Sequence, residues 1–265
     1  MFKADYHMHS DFSLDSSAKM ENMVLKAIDL GLEEIAITDH LDFTYPNCEY
    51  FLDLPEYMGN ITRLQAKYAG QISILKGIEM SLRPDSAAYA KLVAKEYDFD
   101  FIIGSTHDVK GVDWHYAEHY QGVSKIDAYN AYFENMLDCL QDNRDFDIVG
   151  HLDYVCRYGR YADKSLNYND NKNIIEEILK KIIKLEKGIE INTSGYARSL
   201  GHFHPKTEII QLYLNLGGNI ITIGSDAHSE NRIASEFNTA YELLKSLGVK
   251  HVARYKKRKL YFVAL

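Results

Sequence analysis

Short apolar runs alternate with helical patterns along this chain, and that alternation restricts its fold more than any other feature. Candidate strands are residues 4–8, 33–38, 72–78, 99–105, 146–150, 188–192 and 219–224, with an eighth run at 259–264. Between them lie helix signals. Met20, Met23, Val24, Ala27, Ile28 and Leu30 recur at helical spacing within 17–30, and Gly31 follows as a stop. A second apolar set marks 171–187, Pro205 opens a helix over 206–216, and another is predicted over 232–247. Strands that alternate with helices form parallel sheets. Seven or eight such units predict an α/β barrel related to the (β/α)8 type. An open doubly wound sheet is the alternative, but no GxGxxG or Walker-type loop supports a nucleotide-binding version of it.

The 265 residues suit one α/β barrel, and neither a repeat nor a linker divides them, so a single domain over 1–265 is expected. The net charge of −8 argues against nucleic-acid and membrane-surface partners. Cys48, Cys139 and Cys156 form no CxxC pair, and no apolar run approaches the ~18 residues that span a membrane. No basic region followed by an apolar run opens the chain. These features predict a soluble cytoplasmic protein. The basic run "KKRK" precedes an apolar strand and reads as a solvated edge.

The chemistry-bearing residues fall at the strand ends. Strand one ends in His7 and His9, which share a face because residues two apart in a strand point the same way. Later strands run into His40, Glu79, His107, His151, and Asp226 with His228, while Asp15 lies in the first strand-to-helix loop. Six of eleven histidines occupy these places; His115, His119, His202, His204 and His251 lie elsewhere. A single such histidine would be unremarkable as a structural residue, but random scatter does not place six on one face. In an α/β barrel that face is the active-site face.

Nine candidate ligands exceed what one ion takes. They suit two or three divalent ions, and imidazole with carboxylate suits Zn²⁺, Mn²⁺ or Fe²⁺. Adjacent ions with open positions activate water as hydroxide and clamp both oxygens of a phosphoryl displacement, so a metal-dependent phosphoesterase is expected.

The ordered motifs "HMHS", "ITDH", "GIE", "STH", "GH" and "GSDAH" resemble those of the PHP (polymerase and histidinol phosphatase) superfamily. The stretch from "HSDFSLD" to "ITDHLDF", with "GSTHDVKG" and "GHLDYVCRYG", is similar to the histidinol-phosphate phosphatases. The resemblance implies a distorted (β/α)7 barrel, TIM-barrel-like, with a trinuclear centre. His7, His9, Glu79 and Asp226 would hold one ion. Glu79, as a bridge, would hold the second with His107 and His151. Asp15, His40 and His228 would hold the third. The implied reaction is hydrolysis of L-histidinol phosphate to L-histidinol and phosphate, a step of histidine biosynthesis.

Proton transfer falls to Asp15, Asp226 or His228. Loop arginines suit bidentate phosphate contact, and Arg160, Arg198 and Arg157 are the candidates. Asp42 either meets an amine on the substrate or caps its own loop. Ser10 and Ser194 are candidates for hydrogen bonds near the site, and His202 and His204 for its rim. Rival readings are a related phosphoesterase acting on phosphotyrosine or nucleic-acid phosphodiesters, an amidohydrolase-type barrel, and a non-catalytic metal-binding module.

Overall fold

The computed structural model describes residues 3–42, 52–109, 112–197 and 200–265. Its strands are β1 (Ala4–Asp5), β2 (Glu34–Ile37), β3 (His40–Leu41), β4 (Ser73–Ser81), β5 (Phe101–Ser105), β6 (Asp108–Val109), β7 (Val112–Asp113), β8 (Ile148–Val149), β9 (Gly188–Asn192), β10 (Ile221–Gly224), β11 (His251–Lys256) and β12 (Lys259–Ala264). The order β1-β2-β4-β5-β8-β9-β10 is parallel throughout. β3 continues the track of β2 along β4, with His40 opposite Glu79.

The first strand changes partner along its length. Ala4 and Asp5 pair with β2, and then Tyr6 N donates to Ile223 O and Asp226 N donates to His7 O. Met8 bridges to Ala227. These bonds join the last strand to the first and close the barrel, so the open doubly wound sheet is excluded. The strand predicted over 4–8 is thus two residues of ladder followed by a seam.

The helices are α1 (Met20–Asp29), α2 (Leu54–Lys67), α3 (Ala87–Glu96), α4 (Lys125–Asp142), α5 (Val155–Tyr158), α6 (Tyr168–Lys184), α7 (Ser194–Ala197), α8 (Thr207–Asn215) and α9 (Phe237–Ser246). α1 buries Met20, Met23, Val24 and Ala27, one apolar stripe at helical spacing. α6 begins before the predicted residue 171 because the Asn167 side chain caps it, accepting from Asn169 N. α9 begins after the predicted 232, because Glu230–Arg232 form a separate 3₁₀ turn.

The eighth apolar run belongs outside the barrel. β12 pairs antiparallel with β11, which no sequence signal had marked, and the hairpin turns at Lys257 and Arg258, both with positive φ. Ala253 and Tyr255 of this hairpin pack with Tyr6, Ala36, Leu75, Phe101, Ile103 and Ile148 in one apolar cluster. Among the basic residues of "KKRK", Arg258 pairs with Asp147 at 2.7 Å. No helix of the described residues is long and apolar enough to cross a membrane.

Candidate metal centre at the barrel mouth

Glu79 stands at the middle of the site. It is fully buried near the end of β4 and is surrounded by ring nitrogens. Its Oε1 lies 2.9 Å from His151 Nε2 and 3.3 Å from His107 Nε2. Its Oε2 lies 2.9 Å from His40 Nδ1, 3.3 Å from His7 Nε2 and 3.4 Å from His9 Nε2. Asp226 Oδ1 faces His9 Nε2 at 3.5 Å and His7 Nε2 at 3.8 Å. Asp15, whose side chain is 58% exposed, reaches back over the mouth: its Oδ2 is 3.0 Å from His228 Nε2 and its Oδ1 3.6 Å from His40 Nε2. The fold therefore brings together all nine candidate ligands.

Hydrogen bonds from behind fix how these rings point. His7 Nδ1 lies 2.6 Å from Glu190 Oε1, so Nδ1–H donates to the carboxylate and Nε2 turns inward. Ser13 Oγ spends its proton on Asp39 Oδ1 at 2.6 Å and so accepts from His9 Nδ1 at 3.1 Å. His9 Nε2 then also points inward, and the two Nε2 atoms stand 3.0 Å apart. Two imidazole lone pairs facing each other repel unless a positive species lies between them. Glu79 Oε2 and His40 Nδ1 are buried and make no hydrogen bond despite their 2.9 Å separation; His151 Nδ1 and His228 Nε2 are also unbonded. This donor set fits divalent cations. The groups that could each hold an ion include His7–His9–Glu79, Glu79–His107–His151 and His9–His40–His228.

The local field favours positive charge. Burial opposes charge on His7 and His40, but it is outweighed by Glu190, Glu79 and Asp226 for His7 and by Glu79 and Asp15 for His40; both titrate well above the ordinary value. His107 is pushed up to about 10, Glu79 and Asp42 prevailing over burial. Burial and neighbouring rings hold His9 well below its ordinary value, and burial brings His151 to about 4. Glu79 and Asp226 are held well below the carboxylate range, although burial opposes it, by the surrounding histidines and, for Asp226, by Arg157.

The other candidates separate. Arg157 is buried and donates from Nη2 to Asp226 Oδ2 at 2.7 Å and to Ser194 Oγ at 2.5 Å. Arg160 is exposed and donates to His115 O at 3.0 Å, and Arg198 lies outside the described residues. Asp42 Oδ1 is 3.2 Å from His107 Nδ1. Ser10 Oγ donates to Asp39 Oδ2 and Ser194 Oγ to Asn192 Oδ1, so both belong to the network behind the rings. His202 and His204 sit apart from Glu79, with Asp153.

Sequence reasoning missed Glu190, Asp39 and Ser13. Glu190 was detectable as one carboxylate between Ile189 and Ile191 in a strand predicted to be buried on both sides. It also accepts from His151 N at 3.0 Å and Asn192 Nδ2 at 3.0 Å. Gly224 makes room for it: a Cβ there would lie 2.3 Å from Glu190 Oε1 and 2.4 Å from His7 Cβ.

Known proteins share these features. The PHP domain family matches residues 5–194. A histidinol-phosphatase of Lactococcus lactis is 36% identical over 266 residues, covering 98% of this chain and 97% of the relative. A probable histidinol-phosphatase of Clostridium acetobutylicum is 32% identical over 94% of this chain and 95% of its own. The crystal structure of histidinol phosphate phosphatase from Lactococcus lactis, complexed with zinc, L-histidinol and phosphate, superposes with a TM-score of 0.91 at 34% identity, covering 98% of this chain and 99% of that one.

Proposed function

Because this chain belongs to the PHP domain family, we propose that it is a metal-dependent phosphomonoesterase that hydrolyses L-histidinol phosphate to L-histidinol and phosphate. The observation that carries this reading is the convergence of six inward-facing imidazoles and three carboxylates around Glu79. The relatives' histidinol-phosphatase activity and the zinc, histidinol and phosphate in the neighbouring structure supply the substrate.

His7, His9, Glu79 and Asp226 would hold one divalent ion, Glu79, His107 and His151 a second, and Asp15, His40 and His228 a third. Such ions, when bound, supply a nucleophile from water at neutral pH and offset the charge of the phosphoryl group. The chain's own groups do the rest. Glu190 and Ser13 keep His7 and His9 turned inward. Arg157, bonded to Asp226, acts as its anchor, which leaves Arg160 and Arg198 as the cations for substrate phosphate. Asp15 is the most exposed carboxylate of the set and sits between His40 and His228, so its oxygens are placed to move a proton to the leaving alkoxide. Asp42, against His107, lies where a substrate amine would meet a carboxylate.

Zinc-loaded protein assayed with L-histidinol phosphate and a panel of phosphomonoesters tests this. We expect kcat/KM for histidinol phosphate to exceed that for simple alkyl and aryl phosphates by about 100-fold or more, some 3 kcal/mol of transition-state discrimination. Equal turnover across the panel would overturn the substrate, and no turnover of any phosphate ester would overturn the reaction.

A further inference from the structure

A second group of potential ligands lies outside the centre around Glu79 and shares no residue with it. Asp153, four residues past β8, is fully buried, as is His204; His202 is half-buried. His204 is fixed in place because its backbone pairs with Asn192 at the end of β9, N to O at 2.9 Å and O to N at 2.7 Å. Each of the three residues offers one ligand atom, and these atoms all lie within 4.8 Å of one another.

The hydrogen bonds decide what faces the shared space. His204 Nδ1 lies 2.5 Å from Asp153 Oδ1, and an ionised carboxylate only accepts, so Nδ1 carries the proton. His202 Nδ1 lies 2.6 Å from Phe203 O, and a carbonyl also only accepts, so Nδ1 carries that ring's proton too. In both neutral rings Nε2 is left with a bare lone pair. Both Nε2 atoms are buried and neither has a hydrogen-bond partner. Asp153 Oδ2 accepts only from Lys206 N, at 3.0 Å. Buried polar atoms without partners are costly, and native structures rarely leave them so. Here the two bare nitrogens converge beside a carboxylate. A cation satisfies them together. The bond from a carboxylate to the far nitrogen of a ligating histidine is also the usual arrangement behind a metal-bound ring.

We propose that Asp153, His202 and His204 form a separate divalent-cation site, with zinc or another borderline first-row ion as its ligand. Two imidazoles and one carboxylate match that class of ion, while calcium and magnesium prefer oxygen ligands. The ion would pin the 202–204 segment to the start of the chain that follows β8. The site does not depend on the phosphatase reading, because neither its residues nor its geometry enter that chemistry.

The test is a zinc count. Wild type, His202→Ala, His204→Gln and the double variant are stripped with chelator and dialysed against one buffered free-zinc level that saturates the wild type. Metal per folded chain is then measured by elemental analysis. We expect each single variant to hold one zinc fewer than wild type, and the double variant also only one fewer. Unchanged zinc in His202→Ala would overturn the site and leave water as the partner of the two nitrogens. Loss of two zincs in the double variant would overturn it as well, because the two rings would then serve different ions. His202 is half-buried, so His202→Ala decides the matter if circular dichroism shows that His204→Gln does not fold.

Discussion

Glu190 shows how one side chain behind the site determines what the front presents. It receives the protons of His7 Nδ1, His151 N and Asn192 Nδ2. Only a carboxylate has enough acceptor capacity for all three; a glutamine at the same place has one oxygen, and its amide would turn donors toward donors. Glu190→Gln should therefore loosen the orientation of His7 and weaken zinc binding by about 10- to 100-fold. Competition with a chromophoric chelator measures this directly, and wild-type affinity in the variant would show that the strand alone orients His7. The contrast with the ring residues explains what was legible in the sequence. Histidines at successive strand ends announce themselves, because the residue type and the predicted barrel face agree. Glu190, Asp39 and Ser13 act one hydrogen bond behind, and a carboxylate or hydroxyl in a strand or loop carries no signal of what it will face.

At the scale of elements, the close passage of β10 over β1 and β9 depends on Gly224. A methyl at that position would meet Glu190 Oε1 at 2.3 Å and His7 Cβ at 2.4 Å, both packed at the barrel centre. Gly224→Ala should cost about 1–3 kcal/mol of stability through overpacking, read from urea unfolding, and should lower zinc affinity together with stability because the displaced groups orient the site. A different tie joins α1 to α2. Glu21 in the first turn of α1 accepts from Lys67 Nζ, Tyr68 Oη and Arg63 Nη1. Lys67 first, then Tyr68 and Arg63, hold its carboxyl down at about 2 against an ordinary 4.5. A depressed carboxyl stabilises the fold above its unfolded value and loses that contribution as the pH falls through its folded value. The stability gap between wild type and Glu21→Gln should thus be constant near neutrality and close between pH 4.5 and about 2. Because the group is exposed, the gap should be small and should shrink in 1 M salt. A gap that persists at pH 2 would mean that packing rather than charge joins the two helices. The helices themselves were legible where an apolar stripe was strong, as in α1 and α6. Their starts were not, because a cap such as Asn167 sits outside the periodic pattern.

The whole molecule solves two problems that periodicity does not reveal. Strand count and order followed from alternation, but closure came from β1 changing partners after Asp5, a property of twist and of where Thr38 meets Met8. The second problem is the end of the barrel away from the metal centre. The ligands gather at the strands' C-terminal ends, so the residues near the N-terminal ends need another cover. The β11–β12 hairpin provides it. Tyr255 is 4% exposed, and its ring lies 5.1 Å from that of Phe101, which in turn meets Tyr6 edge-on at 5.1 Å. Tyr6 Oη accepts from Tyr255 N at 3.2 Å and donates to Glu34, which Arg254 also pairs at 2.7 Å. From sequence, 259–264 looked like an eighth barrel strand because it is apolar and comes last. The pairing partner that removes it from the barrel, β11, carries charges at His251, Arg254 and Lys256 and gave no strand signal. The hairpin and the metal centre therefore serve opposite ends of one core. Removing the plug should affect stability and leave the site's ion affinity nearly intact. Tyr255→Ala should cost about 3–5 kcal/mol, the usual range for deleting a buried aromatic ring. Chemical denaturation measures the loss, and chelator competition on the folded variant should give zinc affinity within about twofold of wild type, a difference of ~0.4 kcal/mol. A large drop in zinc affinity with little loss of stability would mean that the hairpin transmits its packing to the mouth instead of closing the far end.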